Sequence, residues 1–359
     1  MRMMVQGLKI LDFSTLLPGP YATWMLCSMG AEVLKISAPD KEDLVLAGGP
    51  GMLQEDGSWV SANRAWLMHG KRERFLNLKS EEGITEVKRL ILEEGYNCIV
   101  EQFRPGTMER LGLGYEDIKG LAPDIIYASL SGYGQTGPYA NRAGHDINYL
   151  SLSGVISYSG RIEEGPALYG LQIADIVSAQ NTVIGILAAH VRRLWAQSDK
   201  AAKGSGCHVD VSILDGVVPM NAMAGVGALM SGQDPEREGD WLNGGSCYDF
   251  YETADGQYMS VGALEPKFWQ NFCCVMGHKD WIEAGCVCAD FREKKQILRA
   301  EFKQRTRSEW TALFQKTDAC VEPVLSVTEA LHSENARARG WLTEQNGMEH
   351  YDLPIRFLS

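Results

Sequence analysis

The chain has 359 residues, 45% of them hydrophobic and 22% charged, a composition that suits a globular enzyme able to bury a sizeable core in one large or two ordinary domains. With 34 Lys and Arg against 46 Asp and Glu, the net charge is -12, which repels nucleic acid and acidic membrane surfaces and removes both from the expected partners. A phosphate-bearing ligand must therefore find a local basic cluster.

Residues 8–13 read as a buried strand, Pro18-Gly19-Pro20 breaks it, and residues 21–29 read as a helix stopped by Gly30. A second apolar strand follows at residues 32–36. Strand, helix and strand in close succession form a βαβ unit, which implies a parallel sheet with a right-handed crossover. Strands at residues 98–100 and 124–130 continue the pattern, so the first half is α/β. Residues 175–197 carry apolar side chains at helical spacing, among them Val183, Ile184, Leu187, Val191 and Leu194, and the polar stretch 198–205 reads as a surface turn.

Residues 207–212 alternate like a strand with one wet face. Residues 248–253, the pair Asp255-Gly256 and residues 257–262 read as a β-hairpin, and residues 266–276 as a helix. A strand at 321–325 precedes Ser326-x-x-Glu329, a capping box. These patterns predict a large domain over 1–200, a connecting segment over 201–239 and a smaller α+β domain over 240–320.

The nine cysteines are odd in number and scattered through apolar stretches, which predicts reduced thiols and a cytoplasmic setting. Cys273, Cys274, His278, Cys286 and Cys288 lack zinc-ribbon spacing, so no metal is expected. No eighteen consecutive residues are apolar, so no membrane span is expected.

The loop Leu16-Leu17-Pro18-Gly19-Pro20 stands between a strand and a helix N-terminus, where free backbone N–H groups can hold an anion; as plain turn chemistry it is a tight βα connection. It lacks the GxGxxG dinucleotide fingerprint. His145 stands at a Gly-preceded helix start after a long Gly/Tyr/Pro loop, a place where functional groups concentrate. Asp175 opens the long amphipathic helix, where an N-cap carboxylate is also favourable. Met220, Met223 and Met230 read as core packing or as a flexible acyl pocket.

Residues 7–39 (GLKILDFSTLLPGPYATWMLCSMGAEVLKISAP), residues 101–146 (EQFRPG through NRAGHD), Asp210 to Asp215 and residues 319–340 (ACVEPVLSVTEALHSENARARG) resemble the family III CoA-transferase superfamily. Within it, residues 144–154 (GHDINYLSLSG), 243–256 and 261–269 resemble the α-methylacyl-CoA racemase branch. The resemblance implies a Rossmann-like large domain made from both chain ends, here 1–200 completed by about 321–359, and a small domain. It also implies an interlocked homodimer with acyl-CoA at the subunit interface, and no cofactor beyond the coenzyme A of the substrate. Arg104 would help hold the CoA phosphates or adenine, with Lys71 and Arg72 of the HGKRER run and the Pro18-Gly19 loop as further candidates.

In the racemase branch His145 would be one acid/base catalyst, the backbone at Asp146 would stabilise a thioester enolate, and Asp175 would be the second acid/base residue. Glu265 would reach the site from the partner subunit and orient the histidine; within its own chain it is a helix-start glutamate. In the transferases the aspartate matching Asp175 is instead the nucleophile. Two departures bear on this. Ala38 stands before Pro39 where racemases often carry a basic residue, leaving Lys35 or Lys41 nearby, and residues 171–181 are less glycine-rich than racemase versions and closer to the transferases. A non-catalytic acyl-CoA-binding protein would need none of His145, Asp175 and Glu265.

Overall fold

The computed structural model describes residues 4–54, 57–198, 205–345 and 347–358. Six strands form one parallel sheet: β1 (Lys9–Asp12), β2 (Glu32–Ser37), β3 (Arg72–Phe75), β4 (Cys98–Glu101), β5 (Ile126–Ser131) and β6 (Cys207–Ser212). Their spatial order is β3-β2-β1-β4-β5-β6, the doubly wound order of dinucleotide-binding folds. The central strands are buried on both faces because helices cover both. Ile10, Cys98, Val100, Ile126 and Ala128 pack toward α1 (Pro18–Ser28) and the long helix that carries Ala179, Val183 and Ile186. Leu11, Ile99 and Tyr127 pack toward α2 (Glu81–Leu92) and α3 (Tyr115–Leu121) on the other side. Each such Leu or Ile, fully buried, contributes roughly 1.5–3 kcal/mol.

Several expectations are corrected. The first helix starts at Pro18 and not at Tyr21, because proline needs no N–H in a first helical turn. Strand β3, with the polar sequence RERF, had no apolar signal; as an edge strand it needs none. Residues 207–212 are no connector but the last strand of the sheet. The turn expected at 198–205 falls on residues 199–204, which lie outside the described residues.

The chain divides into two compact units, one holding residues up to 153, 169–220 and those from 336 on, the other 154–168 and 221–335. The second unit thus begins before residue 240 and claims a segment from the first half. Arg161 explains the segment, since its guanidinium pairs with Asp249 and with Glu238. Strand 321–323 also stays in the second unit, paired with the hairpin.

Between the two helices of the site, α4 (Asp146–Leu152) and α5 (Ile173–Ser198), runs that inserted segment. In the second unit, α6 (Ala222–Ser231) precedes an antiparallel sheet of β7 (Asp249–Glu252), β8 (Tyr258–Val261) and β9 (Val321–Pro323), with α7 (Pro266–Met276) after the hairpin. The hairpin turn requires Gly256, whose φ is +69°. Tyr251, Met259, Trp269, Phe272, Phe302 and Trp310 form this unit's core.

Two helical stretches, Ile173–Ala196 and Ile213–Ser231, are long and apolar enough by length and composition to cross a membrane, although neither holds eighteen consecutive apolar residues. The first supplies the buried stripe of α5, yet Ile184, Val191, Leu194 and Trp195 lie on its exposed side. The second ends in α6, where Met223, Val226, Leu229 and Met230 are exposed, the last two at 90% and 89%. Met220, Met223 and Met230 are therefore not core residues of this chain.

Candidate active site

In a doubly wound sheet, ligands bind outside the carboxyl ends of the strands at the point where strand order reverses. Here that point lies between β1 and β4. The loop after β1 runs into α1, and the loop after β4 carries Gln102 to Gly106. A bond joins them: the Gly19 N–H donates to Gln102 Oε1 at 3.1 Å. A Cβ at position 19 would stand 2.1 Å from the Ser14 Cβ and 2.7 Å from Gln102 Oε1, so only glycine fits.

The anion-site expectation rests on Pro18 and Gly19. Both are buried, and the Gly19 amide is already spent on Gln102. The Leu16 amide is spent too, on Asp43 Oδ2 at 2.9 Å, in a backbone held at φ +64°. Thr15 is the exposed residue of the loop.

Beneath the loop lies a buried charge cluster. Lys71 Nζ donates to Thr23 Oγ1 at 2.6 Å and Pro20 O at 2.9 Å and pairs with Asp12 at 3.4 Å. Lys35 Nζ donates to the Ser14 carbonyl. Burial pushes the Lys71 ammonium down to about 8, against the pull of Asp12. Burial would raise Asp12, but Lys71, Lys35, Ser14 and Thr23 hold it below its ordinary value. Lys71 and Lys35 thus support the loop from inside.

Arg72 is also placed away from the crevice. It opens β3 and bonds Glu32 and the Tyr96 hydroxyl, at the amino-terminal end of the sheet. Arg104, by contrast, is exposed in the loop after β4, and its guanidinium has no hydrogen-bond or ion-pair partner among the described residues. Lys41 is exposed as well.

His145, Asp146 and Asp175 are brought together in the first unit. Tyr149 shapes the approach to the histidine: its hydroxyl donates to the Gly144 carbonyl at 2.9 Å, and a Cβ at Gly144 would meet the ring at 2.9 Å. His145 is the exposed N-cap residue of α4, and its N–H donates to Asn148 Oδ1 at 3.0 Å. Asp146 then does what was expected of Asp175. Its Oδ1 accepts the Ala174 N–H at 2.6 Å and the Asp175 N–H at 3.3 Å, capping α5 from another helix.

Asp175 is consequently not a cap; it sits half-buried in the first turn with its carboxylate uncommitted. Burial first, and then the Asp146 carboxylate, push it up to about 6, while His145 pulls the other way. Burial also raises Asp146, opposed by the two amides it accepts. A carboxyl group that titrates near neutrality beside an exposed imidazole can exchange protons with a ligand.

Glu265 belongs to the second unit, where it is exposed at the N-cap of α7 and makes no capping bond. Among the described residues no three of His, Cys, Asp and Glu are grouped to hold a metal ion. His278 is paired with Glu301 at 2.8 Å and stacked on Trp281. Sequence reasoning assigned no part to Glu101, which closes the buried strand β4, or to Gln102, which opens the loop after it, at the strand end that favours site residues in this fold.

A profile of CoA-transferase family III matches residues 5–357. The chain is similar to human alpha-methylacyl-CoA racemase, 34% identical over 340 residues covering 94% of this chain and 82% of that protein. It is also similar to the succinate–glutarate CoA-transferase of Agrobacterium fabrum, 30% identical over 350 residues covering 94% of this chain and 84% of the relative. Among solved structures, a CaiB/BaiF family protein from Brucella suis superposes with a TM-score of 0.86 at 26% identity, covering 99% of this chain and 93% of that one. A match over nearly the whole chain, relatives at 30% and 34% identity and a shared fold lead to one conclusion: the chain belongs to CoA-transferase family III.

Proposed function

We propose that this protein epimerises 2-methylacyl-CoA thioesters by removing the proton at C2 and returning one to the opposite face, with His145 and Asp175 as the two acid/base groups. The observation that carries the reading is Asp175, raised to about 6 next to His145 and left uncommitted because Asp146 caps its helix. Reversible proton transfer at a thioester needs two groups flanking the carbon, each able to hold or release a proton near neutral pH. The proton at C2 is weakly acidic, so donors to the enolate oxygen matter, each worth about 3–4 kcal/mol by analogy with oxyanion holes. The Asp146 backbone is the assigned donor. Glu265 is assigned, from a partner subunit, to orient the His145 ring.

The second reading is CoA transfer between carboxylic acids through an acyl intermediate on Asp175. Residues 171–181 favour it, being poor in the glycines of racemase versions, as does similarity to proteins named CoA-transferases. A second copy of this chain is the partner both readings require, and the exposed apolar face of α6 supports it. The protein works in the cytoplasm with no cofactor other than the CoA of its substrate.

One experiment separates the two. Incubated in D2O with a single 2-methylacyl-CoA epimer and no free acid, the wild-type protein incorporates deuterium at C2 and yields both epimers. Absence of exchange, with CoA moving to an added carboxylate, replaces the first reading with the second.

Arg104 is the assigned phosphate contact. Arg104→Ala raises the KM for acyl-CoA roughly tenfold or more with kcat little changed, since a grip remote from C2 acts alike in ground and transition states. Steady-state kinetics showing an unaltered KM would remove Arg104 from the site.

A further inference from the structure

Glu101 ends β4 on the face of the sheet that packs against α2 and α3, beside Ser129 of β5 and close to His208 of β6. It is 4% exposed. Its carboxylate takes a hydrogen bond from the Ser129 hydroxyl, and Ser129 Oγ lies 2.8 Å from His208 Nε2. Its Oε2 also accepts the Phe103 N–H at 2.8 Å. A buried carboxylate thus holds the first peptide of the turn that carries Gln102 and Arg104. Gln102 in turn takes the Gly19 N–H, so the same turn fixes the loop after β1.

We propose that Glu101 is a positioning residue of the CoA site, whose carboxylate, anchored by Ser129 and His208, fixes the turn bearing Gln102 and Arg104 and thereby sets the grip on phosphate. This rests on the reading of Arg104 as the phosphate contact. A buried carboxylate is a costly way to hold a turn. The charged groups acting on Glu101 are both negative: Glu109 on the short helix Thr107–Arg110 and Asp210 on β6. Tyr127 on β5 also feels the Glu101 charge, and the His208 ring packs against Tyr127 and stacks on Tyr115 of α3. Burial holds His208 below its ordinary value, so no cation offsets the charge from that side. Asp12 on β1 lies in the other pattern of the alternating strand faces, tied to Lys71 and Thr23.

Burial first, with Glu109 and Asp210 adding to it, raises the Glu101 carboxyl to about 7. Above that pH the ionised group receives a charge-assisted bond from Phe103, and the turn is tight. Below it the group is neutral, its bond is weaker and the turn loosens. The stability sign is the reverse. An acid raised above its unfolded value of about 4.5 costs stability once ionised, so that cost grows as pH rises toward 7 and is fully present above it.

The test uses the full chain, Glu101→Gln, and coenzyme A itself as the probe. Amide hydrogen exchange, corrected for intrinsic rate, shows Phe103 and Gly19 losing roughly three- to tenfold protection in wild type as pH falls from 8 to 6, and little change in the variant. The ratio of variant to wild-type Kd for CoA, in which titration of the ligand's phosphate cancels, is roughly three to ten at pH 8 and near one at pH 6. At pH 8 the variant melts above wild type, the opposite of what a merely structural glutamate would give. Equal Phe103 protection in the two proteins at pH 8, or a lower melting temperature with an unchanged Kd ratio, overturns the proposal. A turn that loosens as expected while CoA affinity stays constant overturns instead the assignment of Arg104 to phosphate, and an Arg104→Ala Kd equal to wild type confirms that this is the part that failed.

Discussion

Asp175→Asn lowers kcat on the acyl-CoA substrate by roughly two to four powers of ten, the range for loss of a positioned proton-transfer group. Asparagine keeps the shape of the side chain but cannot accept a proton or attack a carbonyl, so the loss is expected in either chemistry. Because Asp146 supplies the cap of α5 through Ala174 and Asp175 N–H, the substitution leaves the helix start intact. Wild-type kcat/KM should show an acidic limb near 6, the value to which burial and Asp146 raise Asp175. Asp146→Asn removes the neighbouring negative charge while keeping an oxygen for the two amides, and should move that limb to lower pH.

The stability effect has the opposite direction. Asp175 rises from 3.8 in the unfolded chain to about 6, so stability falls as pH climbs between those values. The ionised group costs no more than about 2 kcal/mol once solvent access to this half-buried side chain is allowed for. Asp175→Asn should therefore melt at or above wild type at pH 8 while losing its activity. A variant that keeps a tenth of wild-type kcat would take Asp175 out of the chemistry.

The parallel sheet was legible from apolar runs because its central strands are buried on both faces, as Ile10, Leu11, Ile99 and Val100 show. Its edge was not, since Arg72–Phe75 gains its place by pairing with β2 and not by hydrophobic content. Local turn and cap chemistry carried over well: the Asp255-Gly256 hairpin and the Ser326/Glu329 capping box both formed. What sequence spacing could not reveal were bonds between residues far apart in the chain. Arg161 reaches Asp249, which moves a whole segment into the second unit, and Asp146 reaches across to α5, which frees Asp175. The HGKRER run is placed by bonds of the same kind. Its Lys71 is drawn inward by Asp12 and its Arg72 to Glu32, so charge density along the chain did not become a basic surface at the crevice.

His145→Ala divides the two chemistries where Asp175→Asn does not. In the proposed epimerisation the imidazole gives or takes the proton on one face of C2 in every complete turnover, whereas Asp146, the other ionisable side chain with Asp175 at the start of α4 and α5, is committed to capping α5. Conversion of either epimer into the other should fall by roughly two to four powers of ten. In acyl transfer the carbonyl carbon is attacked and C2 is untouched, so the same variant should retain much of its CoA transfer. The substitution is structurally mild: His145 is exposed, and its capping contribution is made by the backbone to Asn148, which alanine preserves. A melting temperature close to wild type should therefore accompany the kinetic loss, separating lost chemistry from lost fold. Chiral analysis of the product thioester, run beside a CoA-transfer assay with added carboxylate, reads both activities on one preparation. Epimerisation that survives at near wild-type rate would sink the two-base assignment, because a single carboxylate on one side of the carbon cannot serve both faces without the substrate turning over in the site.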